Sequence, residues 1–151
     1  MTAPDLTQLV DAVVADLETE TELPRHRVWR YVEPPVIRPD LGPMLAVFPT
    51  VSNYDLIATT NTYAQHDLLA VVWYAPTLDA VDTGGTGSQR AAQAALEIAD
   101  TILARLRTYA TGIPNLDGQE ETTVRRVEFE MLPGGYWTAA TFLDVTRWPA
   151  T

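Results

Sequence analysis

The most β-prone part of the chain is residues 54–76, YDLIATTNTYAQHDLLAVVWYAP. Its second half is an almost unbroken apolar run from Leu68 to Ala75, which is typical of a central strand. The pattern leaves open whether Leu56 to Thr60 pairs with this strand as a hairpin. It also leaves open whether such a hairpin turns near Asn61 or near His66. The fold is therefore expected to be organised around residues 68–75.

Further strands are predicted on both sides of this central run. Two short ones precede it, within Arg25 to Glu33 (RHRVWRYVE) and Met44 to Pro49 (MLAVFP). A closing hairpin follows, formed by Thr122 to Met131 and Tyr136 to Arg147 around LPGGY, because apolar residues alternate along both arms. The sheet is therefore expected to be mostly antiparallel.

Two amphipathic helices are predicted outside the strands. In the first, apolar residues recur at helical spacing from Leu6 to Leu17, Thr2 or Asp5 can cap the N-terminus, and Pro24 prevents continuation. The second is expected to run from an N-cap at Ser88 through Arg107, with an alanine-rich apolar face that allows close approach to a sheet. The acidic residues assigned to the other faces of the first helix are Asp11, Asp16 and Glu18.

The order of these elements predicts an α+β fold, with a mostly antiparallel sheet and two helices packed on one face. The chain has 151 residues, of which 46% are hydrophobic and 20% charged, the size and composition of one globular domain spanning residues 1–151. Two predicted loops, Thr77 to Ser88 and Tyr109 to Glu121, are longer than compact connections require. Loops of that length often bind a partner.

The composition excludes several classes of function. Ten basic and twenty acidic residues give a net charge of −10, so the chain lacks the electropositive surface of a nucleic-acid binder. All ten basic residues are arginine and there is no cysteine, which excludes chemistry that needs a lysine amine or a thiolate. The N-terminal segment has no unbroken apolar run, so an intracellular protein without membrane contact is expected.

No residue pattern marks a catalytic, cofactor or metal site, and we expect a protein that is not an enzyme. The two histidines, His26 and His66, lie on separate segments without metal-binding spacing, and His66 is expected at a turn or strand edge beside Asp67. The loop sequence TGGTGS matches no phosphate-binding motif. Glu128 and Glu130 alternate with apolar residues, as on the solvated face of a half-buried strand.

The arginine clusters are the candidates for a protein interface. Arginine is enriched at interfaces because its planar guanidinium can pair with a carboxylate through two hydrogen bonds. Arg27 and Arg125 flank strands, where they could pair with carboxylates of a neighbouring copy. The candidates for subunit or partner contacts are these arginines and one C-terminal aromatic residue: Arg25, Arg27, Arg30, Arg125, Arg126 and Trp148.

In size, acidity and order of elements, nearly the whole chain resembles a known family. The segments that carry the resemblance are RHRVWRYVEPP (25–35), MLAVFP (44–49), HDLLAVVWYAP (66–76), AAQAALEIADTILARLR (91–107), VRRVEFEML (124–132) and YWTAATFLDVTR (136–147). Together they are similar to tail terminator proteins of long-tailed, non-contractile bacteriophages, of the kind carried by phages of actinobacteria. The arginine-only composition agrees with a GC-rich host.

The resemblance implies a ring, usually hexameric, that stops growth of the tail tube and provides the joint to the head-tail connector. Its partners would be further copies of the chain, the tail tube protein and the connector or neck proteins. Its location would be the neck-proximal end of the virion tail, after assembly in the host cytoplasm. The family has no catalytic residues, and a closed ring needs one patch on each subunit to meet a different patch on the next.

Genomic DNA would pass through such a ring without specific binding, because a negative lumen repels phosphates. A strongly positive bore in the assembled ring would refute this expectation. The acidic loop residues assigned to lumen, solvent or partner are Asp79, Asp82, Asp117, Glu120 and Glu121.

Two other interpretations stay open. One is a different neck component or a head-tail adaptor, which copurifying partners would distinguish. The other belongs to a different class, a small-ligand-binding or enzymatic α+β domain in which His26, His66, Tyr63 or Glu33 line a cavity. A converging polar cluster inside a closed pocket would favour the second interpretation.

Overall fold

The computed structural model describes residues 5–23, 27–31, 43–57, 62–76, 86–114, 116, 120–132 and 136–147. Within them the chain adopts the predicted α+β fold, with a five-stranded, mostly antiparallel sheet and two α-helices. The elements in chain order are α1 (Leu6–Glu18), β1 (Arg27–Arg30), β2 (Met44–Ile57), β3 (Thr62–Pro76), α2 (Thr86–Arg107), β4 (Glu120–Leu132) and β5 (Tyr136–Arg147). A 3₁₀ turn at Thr108–Thr111 follows α2 directly.

The sheet has the strand order β1-β2-β3-β5-β4. β1 runs parallel to β2, and the other neighbouring strands are antiparallel. The predicted central strand, Leu68 to Ala75, lies in β3 between β2 and β5, and the predicted closing hairpin is the pair β4 and β5. Ile57 pairs with Thr62, so the connection between β2 and β3 falls at the earlier of the two positions that the sequence leaves open.

Two strands differ in length from the prediction. β2 continues past Pro49 to Ile57, because a β-bulge directly after Pro49 lets the pairing with β3 resume. β1 is limited to Arg27–Arg30, since Tyr31 has a φ of 71°, in the left-handed region that extended strands do not use. The sheet therefore has one short edge strand, β1, and one long edge strand, β4.

Both helices begin and end close to the predicted positions. Asp5 caps α1 through a capping box, in which its Oδ1 accepts from the Gln8 backbone N–H at 2.7 Å and the Gln8 Oε1 accepts from the Asp5 N–H at 2.8 Å. α2 begins at Thr86, ahead of the predicted cap at Ser88, and ends at Arg107 as predicted. Neither described helix combines the length and the apolar character needed to cross a membrane.

The two helices pack on the same face of the sheet, which we call the helix face. α1 lies over β1 and β2, and α2 lies over β3, β5 and β4. Burial of each large apolar side chain contributes about 1.5–3 kcal/mol before entropy is subtracted, so this layer supplies most of the core. Its buried residues include Leu9, Val13, Leu17, Leu45, Val47, Leu69, Val71, Trp73, Ile102, Leu106, Leu143 and Val145.

The opposite side of the sheet, which we call the second face, carries a smaller apolar cluster. No helix among the described residues packs on it. The cluster consists of Met44, Ala46, Ala70, Val72 and Tyr74, with Trp29, Phe48, Ala140 and Phe142 partly buried around it. The central strands are therefore apolar on both faces, which explains the unbroken apolar run in β3.

Candidate protein interface

A groove of about 230 Å³ lies on the second face, beside the edge strand β4. Apolar side chains from β2, β3 and β5 line most of it: Phe48, Ala70, Val72, Tyr74, Ala140 and Phe142. The remaining lining is polar, with the hydroxyl groups of Thr50 and Thr138 and the carboxylates of Glu128 and Glu130. The groove thus combines an apolar surface with one acidic side.

A β-bulge in β4 determines which side chains reach the groove. Val124 pairs with Leu143, and Arg126 then pairs with Phe142, so Arg125 is the extra residue. Because side chains alternate along a strand, the bulge changes which face the following residues occupy. It places Val127 on the helix face and the side chains of Arg126, Glu128 and Glu130 on the second face.

The two glutamates of the groove differ in their surroundings. The Glu128 Oε1 lies 3.0 Å from the Arg126 Nε, and both side chains are exposed, at 53% and 65%. The Arg126 guanidinium carbon also lies 5.2 Å from the centre of the Phe142 ring, a cation–π geometry. Glu130 has no ion-pair partner among the described residues, so the acidic side of the groove retains uncompensated negative charge.

The predicted interface arginines that the structure describes are engaged within the chain. Arg30 contacts two carboxylates of α1, and Arg126 contacts Glu128. Arg125 lies 3.0 Å from the Asp144 Oδ2, so its own chain supplies the carboxylate that was expected from a neighbouring copy. Arg27 begins β1, but its side chain lies outside the described part, as do Arg25 and Trp148.

The placement in an acidic loop is wrong for Glu120 and Glu121, and an outward-facing position is wrong for Glu120. Both Glu120 and Glu121 belong to β4, and only Glu121 is exposed. The Glu120 side chain is buried on the helix face, where its Oε1 accepts a hydrogen bond of 3.0 Å from the Ile113 backbone N–H. Its Oε2 has no hydrogen-bond partner within the described part of the chain. Because its side chain is buried in the subunit, Glu120 cannot face a lumen. The other candidates, Asp79, Asp82 and Asp117, lie outside the described residues.

A buried ion pair joins β3 to β5 on the helix face. The Arg147 Nε donates to the Asp67 Oδ2 at 2.8 Å, with Asp67 fully buried and the Arg147 side chain 7% exposed. The Gln65 amide donates a further hydrogen bond of 3.2 Å to Asp67. The expectation of a turn or strand edge at His66 is therefore wrong, since these residues belong to a strand with neighbours on both sides. The His66 Nδ1 lies 3.0 Å from the Thr146 hydroxyl.

A second buried carboxylate joins the two helices. Asp16 accepts from the Arg105 guanidinium at 2.6 and 2.8 Å, and from the Tyr109 hydroxyl at 2.7 Å. Asp16 is buried, so its assignment to an outward face of α1 is wrong. Its place is explained by spacing, because it follows Val13 by three residues and shares the apolar stripe of the helix.

The ionisation of these groups follows from their contacts. Burial alone would raise the pKa of Asp16, but the hydrogen bonds from Arg105 and Tyr109, together with the arginine charge, hold this pKa below its ordinary value of 3.8. Burial and the hydrogen bond to Asp16 raise the pKa of the Tyr109 hydroxyl far above its usual value. The hydrogen bond to Asp16 likewise raises the pKa of Arg105. In the folded state Asp16 is therefore an anion, Arg105 a cation and Tyr109 a neutral phenol, and the contacts among these forms stabilise the fold.

Neither of these networks has the arrangement of an active site. Both carboxylates are saturated by partners that hold them in place, and among the described residues no group of three potential metal ligands converges. No protein-family model matches the chain, and comparison with curated proteins gives no match. One accessible surface in the described part of the chain is the groove on the second face, with the edge of β4 beside it.

Proposed function

We propose that the chain is a tail terminator of a long-tailed, non-contractile bacteriophage, a ring of identical subunits that caps the tail tube and joins it to the head-tail connector. The proposal starts from the resemblance of six segments of the sequence. All six overlap regular elements of the fold, and the elements follow in the order on which the resemblance rests. Their arrangement supports the proposal, because a ring subunit needs a rigid core and also surfaces with which it can contact its neighbours.

The observation that carries the proposal is the asymmetry of the sheet. One face is closed by both helices, whereas the other presents an apolar groove with an acidic side. Within this groove Phe48, Ala140 and Phe142 are only partly buried, whereas Ala70, Val72 and Tyr74 are buried. Partly exposed apolar side chains at a concave surface are typical of protein interaction sites. A subunit in a ring must offer different patches to its two neighbours and to the proteins above and below it.

Accessible apolar residues elsewhere on the described surface support an assembled protein. Phe129 on the edge strand β4 and Leu96 on α2 are both about half exposed. β4 is also an edge strand among the described residues, with β5 on its inner side. The groove with the adjoining β4 edge is one surface and α2 is another on the opposite side of the sheet, so the subunit has different surfaces for different neighbours.

The small-ligand interpretation has less support among the described residues. The groove is open rather than enclosed, and its polar lining does not include His66. His26 and Glu33 lie outside the described part of the chain, as does the side chain of Tyr63. No specific observation therefore favours this interpretation over an assembly subunit.

The proposed function is tested with the tail tube protein of the same genome. Native mass spectrometry should give a species of several subunits, near six times the subunit mass of 16.7 kDa, either alone or on mixing with tube protein. In polymerisation reactions of the tube protein, added terminator should shorten the tubes seen by electron microscopy and appear at one end of them. An unrelated acidic protein at the same concentration is the control.

The opposite result is a monomer that leaves the length of the tubes unchanged, which would overturn the proposal. Binding to connector proteins without any effect on the tube would instead identify a neck component or a head-tail adaptor. The two outcomes are separated by carrying out the pull-down with tube and connector proteins in parallel.

A further inference from the structure

The edge strand β4 is accessible along its central part. Between residues 125 and 130 every side chain is exposed except that of Val127, which is partly buried. The exposed fraction is 65% for Arg126, 53% for Glu128 and 46% for Phe129. An accessible edge strand can pair with a strand of another chain through its backbone groups.

The two faces of this edge differ in chemistry. Towards the second face it presents charged side chains, in the order Arg126, Glu128 and Glu130. Towards the helix face it presents the apolar side chains of Val127 and Phe129. A strand that fits this edge must therefore carry apolar side chains towards the helix layer and charges in the opposite order on the other side.

A second copy of β4 meets both requirements when it runs antiparallel to the first. Residues directly opposite each other in an antiparallel pair lie on the same face of the sheet. If Val127 lies opposite Val127 of the second copy, Arg126 lies opposite Glu128 of the second copy. By symmetry, Glu128 then lies opposite Arg126 of the second copy. The short sequence Arg126–Glu128 is therefore complementary in charge to itself.

The β-bulge keeps the faces matched beyond these central pairs. Arg125 is the extra residue of the bulge, so a pairing that passes over it continues with Val124 opposite Phe129. Both of these apolar residues lie on the helix face. On the second face, Thr123 then lies opposite Glu130. Apolar side chains thus meet along one face of the contact, and no two like charges are opposed.

The other antiparallel registers in this part of β4 are disfavoured by charge. A register centred on Arg126, Glu128 or Glu130 places that residue opposite its own copy, and one centred on Phe129 places Glu128 opposite Glu130 twice. Like charges directly opposite each other destabilise a strand pair. Between residues 126 and 130, Val127 is the centre that avoids such a pair. The charges of β4 therefore favour one register with a second copy.

We propose that two copies of the chain associate through their β4 edges, antiparallel and with Val127 at the twofold axis, so that their five-stranded sheets form one continuous sheet. The same patch meets itself, so the contact is isologous and ends at two subunits. It differs from the heterologous contacts that a ring needs. The inference therefore goes beyond the proposed function and does not depend on it, because it concerns a subunit outside the ring.

A charge-swap cycle tests the contact. The variants are Arg126→Glu, Glu128→Arg and the double variant, and the dissociation constant of the dimer is measured by sedimentation velocity. Each single variant opposes like charges twice, so we expect association to weaken by about tenfold or more, whereas the double variant should return to within about threefold of wild type. Glu22→Arg is the control for Glu128→Arg, because it makes the same charge change at an exposed position after α1, and it should associate like wild type.

Single cysteines test the register. The chain has no cysteine, so any disulfide reports the introduced residues alone. The variants Arg126→Cys and Glu128→Cys are oxidised separately and as an equal mixture. The proposed register brings the two cysteines opposite each other only in the mixture, and there the second Arg126–Glu128 pair stays intact. The mixture should therefore give at least about threefold more disulfide-linked dimer than either variant alone, because residues displaced along the strands are too far apart to bridge.

A wild-type chain that stays monomeric up to about 1 mM would overturn the inference, since that range covers even a small strand-edge contact. A double charge variant that fails to recover, or equal disulfide yields in the mixture and the single variants, would overturn it as well. Unfolding curves of the charge variants at low protein concentration should match wild type to within about 1 kcal/mol, because the substituted residues are exposed. The tube-length assay is independent of these measurements. A monomer that caps tubes would refute only the dimer, whereas a dimer with the expected register that leaves tubes unchanged would refute only the proposed function.

Discussion

The two faces of the sheet hold ion pairs of almost equal length in very different surroundings. On the helix face, Arg147 and Asp67 lie 2.8 Å apart and are almost completely buried. On the second face, Arg126 and Glu128 lie 3.0 Å apart, but more than half of each side chain is exposed. The distance between the charges is therefore a poor guide to what each pair contributes.

Burial decides the difference. Removing one partner of a buried pair leaves an uncompensated charge in a medium of low dielectric, whereas water replaces the lost partner of an exposed pair. The helix face is consequently fixed by its charges, and the second face can exchange them at little cost. Breaking the Arg126–Glu128 pair should therefore cost little free energy of unfolding.

The largest effect is expected from Asp67→Ala. This change removes the buried carboxylate that accepts hydrogen bonds from the Arg147 guanidinium and the Gln65 amide, so the free energy of unfolding should fall by about 3–5 kcal/mol. Chemical denaturation followed by tryptophan fluorescence measures it. Asp144→Ala is the control, because it breaks the more exposed pair with Arg125 and should cost about 1 kcal/mol or less. Equal losses in the two variants would show that burial is not the deciding factor.

An intermediate effect is expected from Asp16→Asn. Asp16 is buried, but its partner Arg105 has a side chain that is 34% exposed, so water compensates part of the loss. We expect the free energy of unfolding to fall by about 1.5–3 kcal/mol near neutral pH, the range for hydrogen bonds to a charged group. Denaturant titrations at a series of pH values measure both this difference and its pH dependence.

The pKa of Asp16 sets the sign of that pH dependence. Because this pKa is lowered in the folded state, the ionised carboxylate stabilises the protein above its unfolded-state value near 3.8, and the contribution is lost as the pH falls through the folded value. The stability difference between wild type and Asp16→Asn should therefore shrink in acid. Curves that stay parallel down to about pH 2 would contradict the proposed role of the charge.

The variant Tyr109→Phe separates the contribution of the Tyr109 hydroxyl to stability from that of its ring in the same network. It removes only the hydrogen bond to Asp16, so a loss of about 1 kcal/mol is expected at neutral pH. Since the pKa of Tyr109 is raised, the wild-type advantage is fully present below the unfolded-state value near 10 and is lost as the pH rises further. This alkaline loss should be absent in the phenylalanine variant.

The local elements of the fold could be predicted from the sequence because their signals are local. The apolar spacing of α1 and the capping residue Asp5 lie within a few residues of one another, and the alternation in β4 and β5 identifies the closing hairpin. The order of elements then restricts the architecture to an α+β sheet with helices on one face. The alternation around Glu128 and Glu130 correctly predicts that both are exposed. The bulge at Arg125 has no recognisable sequence signal, so the change of side-chain direction between Val124 and Arg126 needed the structure.

The buried charges could not be predicted in the same way, because each depends on a distant partner. Asp16 and Arg105 are separated by 89 residues, and Asp67 and Arg147 by 80. An aspartate within a periodic apolar pattern is therefore expected at a solvent-exposed position, unless the residue that binds its carboxylate is known. Asp16 did carry a signal, since it shares the stripe of Val13, and Asp67 shares the alternation of Leu69 and Val71. In both cases the charge of the residue favours an exposed position, whereas its spacing correctly places it among buried residues.

The smallest effect is expected from Arg126→Ala on the second face. The change removes an exposed ion pair with Glu128 and an exposed cation–π contact with Phe142, so the free energy of unfolding should fall by about 1 kcal/mol or less. Arg126→Lys keeps the charge but loses the planar stacking group, and it should lie between wild type and alanine. Denaturant unfolding of the monomer at low protein concentration isolates this effect from subunit association. A loss above about 2 kcal/mol would mean that Arg126 stabilises the second face as strongly as a buried ion pair stabilises the helix face, and exposure would then not be what separates the two pairs.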